Sequence, residues 1–281
     1  MPETNAIPDM VRELGFHPIE GEPKTLTNKQ INHFNEKGYI FPLDLFDEEE
    51  VKANREYFEK LMALAEKSGR DSYSINGWHL HCRGIYDLVN DPRVLDFVED
   101  IVGPDIICTM THYFSKIPGE VKSVYWHQDA QFWALTPSKV VTVWLAIDDV
   151  DEENGAMNLF PGTHLQGVIP FEYLTDEENG VLSQHIHDPE LYAKPDSKPV
   201  SVNLKAGQIS LHTDMIIHGS MPNPSNRRRC GLTMRYNPPD VRGRDPESAA
   251  AIICRGSDPQ GYWQDIPRPE GDSLPHPVKE L

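Results

Sequence analysis

The run Val140-Val141-Thr142-Val143-Trp144-Leu145-Ala146-Ile147 is the longest of a series of β-type segments that begins near residue 105. It is rich in β-branched and aromatic residues, and turn-forming residues separate it from its neighbours. Similar short runs lie on both sides of it, at residues 106–109, 123–126, 157–160, 200–203, 209–211 and 231–236. Because helical patterns precede this series, the sequence predicts a mainly β barrel or jelly roll flanked by helices.

The rest of the chain, and one stretch within the series, do not show this β-type pattern. Residues 1–24 are polar and contain prolines, so we expect an N-terminal arm. Residues 25–104 are mainly helical in pattern, 105–237 form the predicted β core, and 238–281 are proline-containing and loop-rich. Within the core, residues 164–198 lack periodicity and predict an insertion of the kind that often acts as a lid. Since no repeat or second domain is evident, we predict a single domain over residues 1–281.

The bulk composition restricts the class of partner. The net charge of −18 argues against nucleic acid or an anionic membrane as a partner. No apolar run approaches the roughly 18–20 residues that span a bilayer, and the N-terminus lacks an export signal. The cysteines are widely spaced and form no CxxC motif, which is typical of reduced residues in a cytoplasmic protein. We therefore expect a cytoplasmic monomer or homodimer that acts on a small molecule.

The segment Tyr125-Trp126-His127-Gln128-Asp129-Ala130 contains a His-x-Asp motif upstream of the long apolar run. Residues two apart on an extended strand project from the same face, so His127 and Asp129 can bind one metal ion from one side. A second imidazole would complete a facial triad that leaves coordination positions open on iron(II), and His218 is the best candidate. The motif alone also occurs by chance on surface strands, so its weight depends on its surroundings.

Three residues near the distal histidine fit a cosubstrate site. Ser220 lies two residues past His218, and Arg229 lies eleven residues past it, at the start of the last clear strand. Strand alternation places Arg229 and Gly231 on one face, where the glycine leaves room. An inward arginine is a costly buried charge unless a carboxylate meets it, and a dicarboxylic cosubstrate would provide one. The alternative for the run 227–229 is a solvated basic patch.

In this linked pattern the sequence resembles the phytanoyl-CoA dioxygenase family of iron(II)- and 2-oxoglutarate-dependent oxygenases. The pattern of that family is His-x-Asp, a distal histidine, a serine, and an arginine eleven residues after the histidine. Two further segments resemble family motifs, namely Ser115-Lys116-Ile117-Pro118-Gly119 and Asn154-Gly155-Ala156-Met157-Asn158-Leu159-Phe160-Pro161-Gly162-Thr163-His164. The resemblance extends over roughly residues 30–237, and the linked spacing is more specific than any single motif.

The resemblance implies a double-stranded β-helix, which is a cupin-like jelly roll. It implies Fe(II) bound by His127, Asp129 and His218, with O₂ and 2-oxoglutarate as cosubstrates. The distal carboxylate of 2-oxoglutarate would bind Arg229 and Ser220.

Aromatic positions and one departure from the family pattern add further cosubstrate candidates. Trp133 matches a cosubstrate-lining position of ectoine hydroxylases, and Trp144 matches a tryptophan of the phytanoyl-CoA enzymes, although both are equally compatible with barrel core. Met110 stands where ectoine hydroxylases carry glutamine, so His112 is a candidate for that cosubstrate contact or for a substrate contact.

The implied reaction is hydroxylation of a C–H bond with release of succinate and CO₂. Halogenating relatives carry glycine or alanine at the position of Asp129, so the carboxylate favours hydroxylation over halogenation. Oxygenases that desaturate, epimerise or close rings are alternatives within the class. A zinc hydrolase, a non-catalytic cupin-like binding protein and a structural protein are alternatives outside it, but a zinc hydrolase leaves the spaced arginine unexplained.

Candidates for the substrate pocket are His79, His81, Arg83, Tyr113, Gln131 and Phe132. His79 and His81 also repeat the i, i+2 spacing of a metal pair, but no third partner is evident. A pocket with histidine, arginine and glutamine predicts a polar or anionic small molecule, such as an amino-acid-like or phosphonate compound. Nothing in the sequence marks a CoA site.

Overall fold

The helices of the protein lie mostly before the β core. The computed structural model describes residues 11–175, 178–243 and 249–275. Thr27 and Asp47 each cap a helix through a capping box, and Pro92 opens a helix after Asp91, all within the region 25–104 that is predicted to be mainly helical. The helices are α1 (Asn28–Lys37), α2 (Glu48–Lys67), α3 (Arg83–Val89), α4 (Pro92–Val102) and α5 (Asp129–Phe132). Among the described residues no helix is long and apolar enough to cross a membrane.

Two antiparallel sheets form the body of the fold. The strands are β1 (Tyr39–Asp44), β2 (Ile106–Lys116), β3 (Val124–His127), β4 (Leu135–Thr136), β5 (Val141–Ala146), β6 (Met157–Leu159), β7 (Glu172–Tyr173), β8 (Gln184–His185), β9 (Val200–Ser201), β10 (Gln208–Thr213), β11 (His218–Ser220), β12 (Arg229–Asn237), β13 (Arg242–Gly243), β14 (Ala250–Arg255) and β15 (Gln264–Asp265). The major sheet has the order β1-β10-β5-β12-β2-β14-β15, and the minor sheet has the order β3-β11-β6-β9. Two small pairs, β13-β4 and β7-β8, lie outside them.

Strand β5 explains why the long apolar run is continuous. Its alternate residues Val143 and Leu145 pack into a cluster with the helices, including Phe58 of α2. Trp144 and Ala146 point the other way, into a cluster with β6 of the minor sheet. A central strand that is buried on both faces needs apolar side chains at every position. The two sheets therefore enclose an inner core, and helices cover the outer face of the major sheet, which is the predicted jelly-roll arrangement.

The C-terminal segment contains more regular structure than the predicted loop. Strand β14 pairs with β2 and extends the major sheet, and β15 runs parallel to β14. The indole of Trp263 is buried and donates a hydrogen bond to the Val241 carbonyl at 2.9 Å. Without β14, the edge of β2 would present unpaired backbone N–H and C=O groups. The short apolar run of β14 has little tendency to form a strand alone, but it becomes one by hydrogen-bonding to these groups.

The predicted arm and the predicted insertion both contact the β core. The Arg12 side chain donates to the backbone carbonyls of Leu135 at 3.1 Å and Ala130 at 2.6 Å. The described part of the insertion contains the β7-β8 hairpin, and the Ile186 amide donates to the Trp126 carbonyl at 2.7 Å. The insertion is thereby attached to the outer edge of β3.

Candidate functional site

The His-x-Asp pair lies at a junction between a strand and a helical turn. His127 is the last residue of β3, and Asp129 is the first residue of α5. The sequence argument placed both residues on one strand, which is not what the structure has. Gln128 between them is nevertheless extended, with φ −110° and ψ 128°, so the two side chains still project to the same side.

The distal histidine comes from the neighbouring strand. His218 begins β11 and lies opposite His127 in the register of the antiparallel pair. Its Nε2 is 3.8 Å from Asp129 Oδ1, and the Nε2 of His127 is 3.5 Å from the same oxygen. All three side chains are buried, and their ligand atoms lie within 4.8 Å of one another. Strand pairing thus gathers two imidazoles and a carboxylate around one point.

Hydrogen bonds fix both imidazoles in the orientation that metal binding requires. His127 Nδ1 donates to the Tyr125 carbonyl at 2.7 Å, and His218 Nδ1 donates to the Ile216 carbonyl at 3.1 Å. These bonds place the proton on Nδ1 and leave Nε2 as a lone-pair donor, as in metal-bound histidines generally. Burial lowers the pKa of His218 well below its ordinary value, which keeps this imidazole neutral.

The carboxylate of Asp129 is ionised despite its burial. Burial alone raises its pKa, but the interactions with His127, His218 and the Arg235 guanidinium together lower the pKa below its ordinary value. An anionic oxygen beside two neutral imidazoles is the donor set of a facial triad for iron(II). The residues present therefore fit the metal that the sequence pattern implies.

A buried arginine lies at the second part of the pocket, at the start of β12. Arg229 is 2% exposed, and its guanidinium donates to the Gly155 carbonyl at 3.0 Å and to Ser220 Oγ at 3.1 Å. No carboxylate of the described residues lies within ion-pair distance of it. Burial lowers the pKa of Arg229 to about 10, so the group stays charged at neutral pH. A buried cation without a counter-ion is a site for an anionic ligand.

Two neighbours shape the environment of Arg229. The guanidinium lies 5.7 Å from the centre of the Trp144 ring, which lines the pocket. Lys116 pairs with Arg229 across β2 and β12 and is fully buried, and its amine donates to the Ser220 carbonyl at 3.0 Å. Burial and the charge of Arg229 lower the pKa of Lys116 to about 6.

A second buried arginine was missed by the sequence reasoning. Arg235 lies near Asp129, lines the pocket with the triad, and has its guanidinium 4.9 Å from the Trp133 ring centre. Its Nε and Nη1 have no hydrogen-bond partner, and no described carboxylate lies within ion-pair distance. The sequence does contain a signal for this residue. Side chains alternate between the two faces of a strand, so Arg235 lies on the same face of β12 as Arg229 and Gly231.

Comparison with known proteins identifies the family of this chain. The family profile described as Phytanoyl-CoA dioxygenase (PhyH) matches residues 34–231. The chain belongs to this family. Rat peroxisomal phytanoyl-CoA dioxygenase (Rattus norvegicus) is 29% identical over 58% of this chain, and the chain spans only about half the length of that relative, 50%.

Two further relatives extend this comparison. A probable alpha-ketoglutarate-dependent hypophosphite dioxygenase of Stutzerimonas stutzeri is 27% identical over 76% of this chain and 79% of its own length. Among solved structures, the non-heme monooxygenase ThoJ in its apo form has a TM-score of 0.73 and 26% identity, and the match covers 86% of this chain and 88% of ThoJ. The family of Fe(II)- and 2-oxoglutarate-dependent oxygenases and its cupin-like jelly roll, both expected from the sequence, are confirmed.

Phe132 lies beside the triad of this PhyH protein, and the predicted site residues His79 and His112 are buried within the electrostatic field of Arg235. Phe132 packs its ring 5.5 Å from that of His127. His112 is buried on the pocket face of β2, and its Nε2 donates to the Tyr73 carbonyl at 2.6 Å. His79 is buried, and its Nδ1 lies 3.1 Å from Thr111 Oγ1 while its Nε2 has no partner. Burial and the positive charge of Arg235 lower the pKa of both histidines.

Four other predicted substrate residues lie elsewhere in this PhyH protein. Tyr113 alternates with His112 and points into the helix-covered core, where it packs against Phe58 at 5.0 Å. Arg83 is exposed. In the described part of the chain, His81 does not belong to any cluster of side chains that could bind a metal ion together. Gln131 donates to Gln128 Oε1 at 3.0 Å and to the Ile169 carbonyl, which ties α5 to the insertion. Tyr113 and Arg83 therefore drop out of the candidate pocket, since a strand face and an exposed helix start direct them away from it.

Proposed function

We propose that this protein is an Fe(II)- and 2-oxoglutarate-dependent hydroxylase of a small anionic metabolite. The observation that carries the proposal is the content of one pocket. A His-Asp-His triad shares it with two buried guanidinium groups, those of Arg229 and Arg235, and neither has a carboxylate partner among the described residues. Two unpaired cations beside a metal triad call for two anionic ligands, which are the cosubstrate and the substrate.

The triad would hold iron through the Nε2 atoms of His127 and His218 and a carboxylate oxygen of Asp129. When bound, iron with 2-oxoglutarate couples oxidative decarboxylation of the cosubstrate to oxidation of a C–H bond. The protein's part is to present three fixed donors on one side and to leave the other side open for the cosubstrate and O₂. The carboxylate of Asp129 occupies the position that a halide needs, which favours hydroxylation over halogenation.

Arg229 and Ser220 would bind the distal carboxylate of 2-oxoglutarate. The serine hydroxyl that now accepts from the guanidinium can also donate to a carboxylate oxygen. The Lys116 amine donates to the Ser220 carbonyl and so helps to hold this serine beside Arg229. Trp144 forms an apolar wall and limits access of water, so the charge-assisted hydrogen bonds act at low local dielectric.

Arg235 would bind an anionic group of the substrate. Nε and Nη1 of Arg235 have no acceptor among the described residues, and the Trp133 ring lies against the guanidinium. His79 and His112 lie within its field, and burial lowers their pKa values to about 3 and about 4. Among the described residues the Nε2 of His79 has no partner, so a neutral His79 could donate from it to a polar substrate without adding charge. The Stutzerimonas relative is named for a small anion, which supports this substrate class.

The test of the cosubstrate site is spectroscopic. Anaerobic addition of Fe(II) and 2-oxoglutarate should produce a visible metal-to-ligand charge-transfer band. His218→Ala should abolish the band, and Arg229→Gln should shift its 2-oxoglutarate dependence to at least tenfold higher concentration, about the loss of one charged hydrogen bond. Circular dichroism of each variant controls for folding. A band that persists unchanged in both folded variants would overturn the proposal.

The test of the substrate class is a screen. Small carboxylates, phosphonates and amino acids should be compared with neutral analogues of the same size for stimulation of succinate formation. We expect the stimulating compounds to be anions, and we expect Arg235→Gln to lose this stimulation while keeping the charge-transfer band. Stimulation by neutral compounds alone would leave the oxygenase class intact and refute the anionic substrate.

A further inference from the structure

A second group of metal-binding side chains lies outside the pocket, on the hairpin of the insertion. Glu172 of β7 is the cross-strand partner of His185 on β8, so their side chains share one face. His187 lies two residues past His185 and projects from that face as well. One ligand atom from each of these three residues lies within 4.8 Å of the others.

The contacts within this group bring its imidazoles and carboxylates close together. His187 Nε2 is 3.2 Å from Glu172 Oε2, and the two imidazole rings are 3.9 Å apart between centres. Glu178 adds a second carboxylate, with its Oε1 3.6 Å from His185 Nδ1. Thr175 holds that glutamate by donating from its backbone N–H and its hydroxyl to Oε2, which leaves Oε1 turned toward the histidine.

The hairpin is rigid where it carries the site. Ile186, between the two histidines, points to the opposite face and is buried against Trp126 and Phe160. Its amide donates to the Trp126 carbonyl, one residue before His127. His185 is itself buried and packs edge-on against Tyr125 at 5.8 Å. A buried imidazole on an anchored strand is a preorganised ligand, because little side-chain entropy remains to be lost on binding.

We propose that Glu172, His185 and His187 form a second site for a zinc-like divalent cation, with Glu178 as an additional carboxylate. Two imidazoles and one carboxylate form a ligand set typical of zinc, and three protein ligands leave a fourth position for water or Glu178. A bound ion would link β7 to β8 and clamp the hairpin onto the outer edge of β3. The site is distinct from the His127-Asp129-His218 triad and does not depend on the proposed oxygenase reaction.

The experiment counts zinc ions on the full-length, untagged, metal-free protein by equilibrium dialysis. We expect two ions per chain in the parent protein and one in His218→Ala, which keeps only the hairpin site. His187→Ala combined with Glu172→Gln, both at exposed positions, should also bind one ion, now at the triad. Adding that pair of changes to His218→Ala should weaken the remaining zinc binding by about 100-fold. His33→Ala, at an exposed histidine outside both groups, is the matched control and should leave the count at two.

Hydrogen exchange locates the ion independently of the count. In His218→Ala, zinc should slow amide exchange in β7 and β8 and leave exchange in β14 unchanged. The proposal is overturned if His218→Ala binds no zinc, or if the hairpin double variant still binds two ions. The charge-transfer band of the hairpin double variant should match that of the parent protein. Failure of the second metal site can therefore be told apart from failure of the proposed oxygenase function.

Discussion

At the scale of single residues, the two pocket arginines differ in how the protein satisfies them. Arg229 donates to the Gly155 carbonyl, the Phe114 carbonyl and Ser220 Oγ. In the described part of the chain, Nε and Nη1 of Arg235 have no acceptor, and the guanidinium contacts the Trp133 ring instead. A buried donor without a partner lowers stability, so we expect Arg235 to destabilise the ligand-free protein.

This difference predicts opposite stability effects for the same substitution. Arg235→Met should raise the free energy of unfolding of the metal-free protein by about 1–2 kcal/mol, because an apolar chain of similar length removes unpaired buried donors. Arg229→Met should lower it by a similar amount, because it leaves the Ser220 and Gly155 acceptors unpaired. Urea unfolding of the three proteins measures both effects. A destabilised Arg235→Met would show that the guanidinium is satisfied by interactions other than a ligand.

A buried acid near the triad predicts a pH dependence of stability. Burial raises the pKa of Asp214 from 3.8 to about 7, although Ser138 Oγ donates to its carboxylate at 2.7 Å. The folded chain therefore binds this proton more tightly than the unfolded chain. The contribution of Asp214 to stability is complete below pH of about 4 and is lost as the pH rises toward about 7.

Asp214→Asn removes this ionisation. The stability of the variant relative to the parent should increase between pH 5 and pH 8 by at most about 3 kcal/mol, because about two pH units of this range lie below the folded pKa. Urea unfolding at several pH values provides the measurement, and Asp240→Asn, at an exposed position, is the control. A constant difference between parent and variant across the window would rule out a protonated Asp214 in the folded state.

At the scale of secondary-structure elements, the cosubstrate end of the pocket depends on the close approach of β5 and β12. Gly231 pairs with Ala146, next to the indole of Trp144. A Cβ at Gly231 would lie 2.0 Å from Trp144 Cζ2, which is far inside van der Waals contact. The missing side chain lets the indole lie beside Arg229, so one glycine on β12 positions an aromatic wall contributed by β5.

Gly231→Ala should therefore destabilise the protein by about 1–3 kcal/mol and weaken 2-oxoglutarate binding, because Trp144 must move. Trp144→Phe removes the clashing ring atoms, so the double variant should recover most of the lost stability. Urea unfolding gives the coupling energy of the pair, and the charge-transfer band gives the 2-oxoglutarate affinity. Additive effects of the two substitutions would mean that the clash does not limit this site.

At the scale of the whole molecule, ligand binding and folding are linked through the pocket between the sheets. The triad lies at the edge of the minor sheet, whereas Arg229 and Arg235 belong to the major sheet. Ligands that contact both sheets bind only the folded chain. Fe(II) with 2-oxoglutarate at about 100 times its dissociation constant should add about 2.7 kcal/mol to the free energy of unfolding.

Anaerobic thermal denaturation tests this linkage. The increase in Tm that 2-oxoglutarate adds should require Fe(II), and His218→Ala should abolish this added increase. Pyruvate has the 2-oxo acid group but lacks the distal carboxylate, so it should stabilise the parent protein less than 2-oxoglutarate does. Equal stabilisation by the two acids would exclude Arg229 as the anchor of the distal carboxylate.

The extent to which the sequence predicts this protein varies with the range of the interactions involved. Local patterns predicted the mainly helical region 25–104, the β core and the jelly roll, because helix and strand periodicity act over a few residues. The linked spacing of His127, Asp129 and His218 predicted the metal group that the strand register brings together. These features depend on the residue types and spacing within each segment, which the sequence shows directly.

The tertiary structure decided the features that depend on which residues meet across the sheets. Only packing shows that Nε and Nη1 of Arg235 have no acceptor among the described residues, that Tyr113 faces the helices, and that β14 extends the major sheet beyond β2. It also brings Glu172 opposite His185 in a segment without sequence periodicity. Alternation along a strand gives two faces but does not tell which face meets the pocket, because that choice is made by the neighbouring sheet and helices.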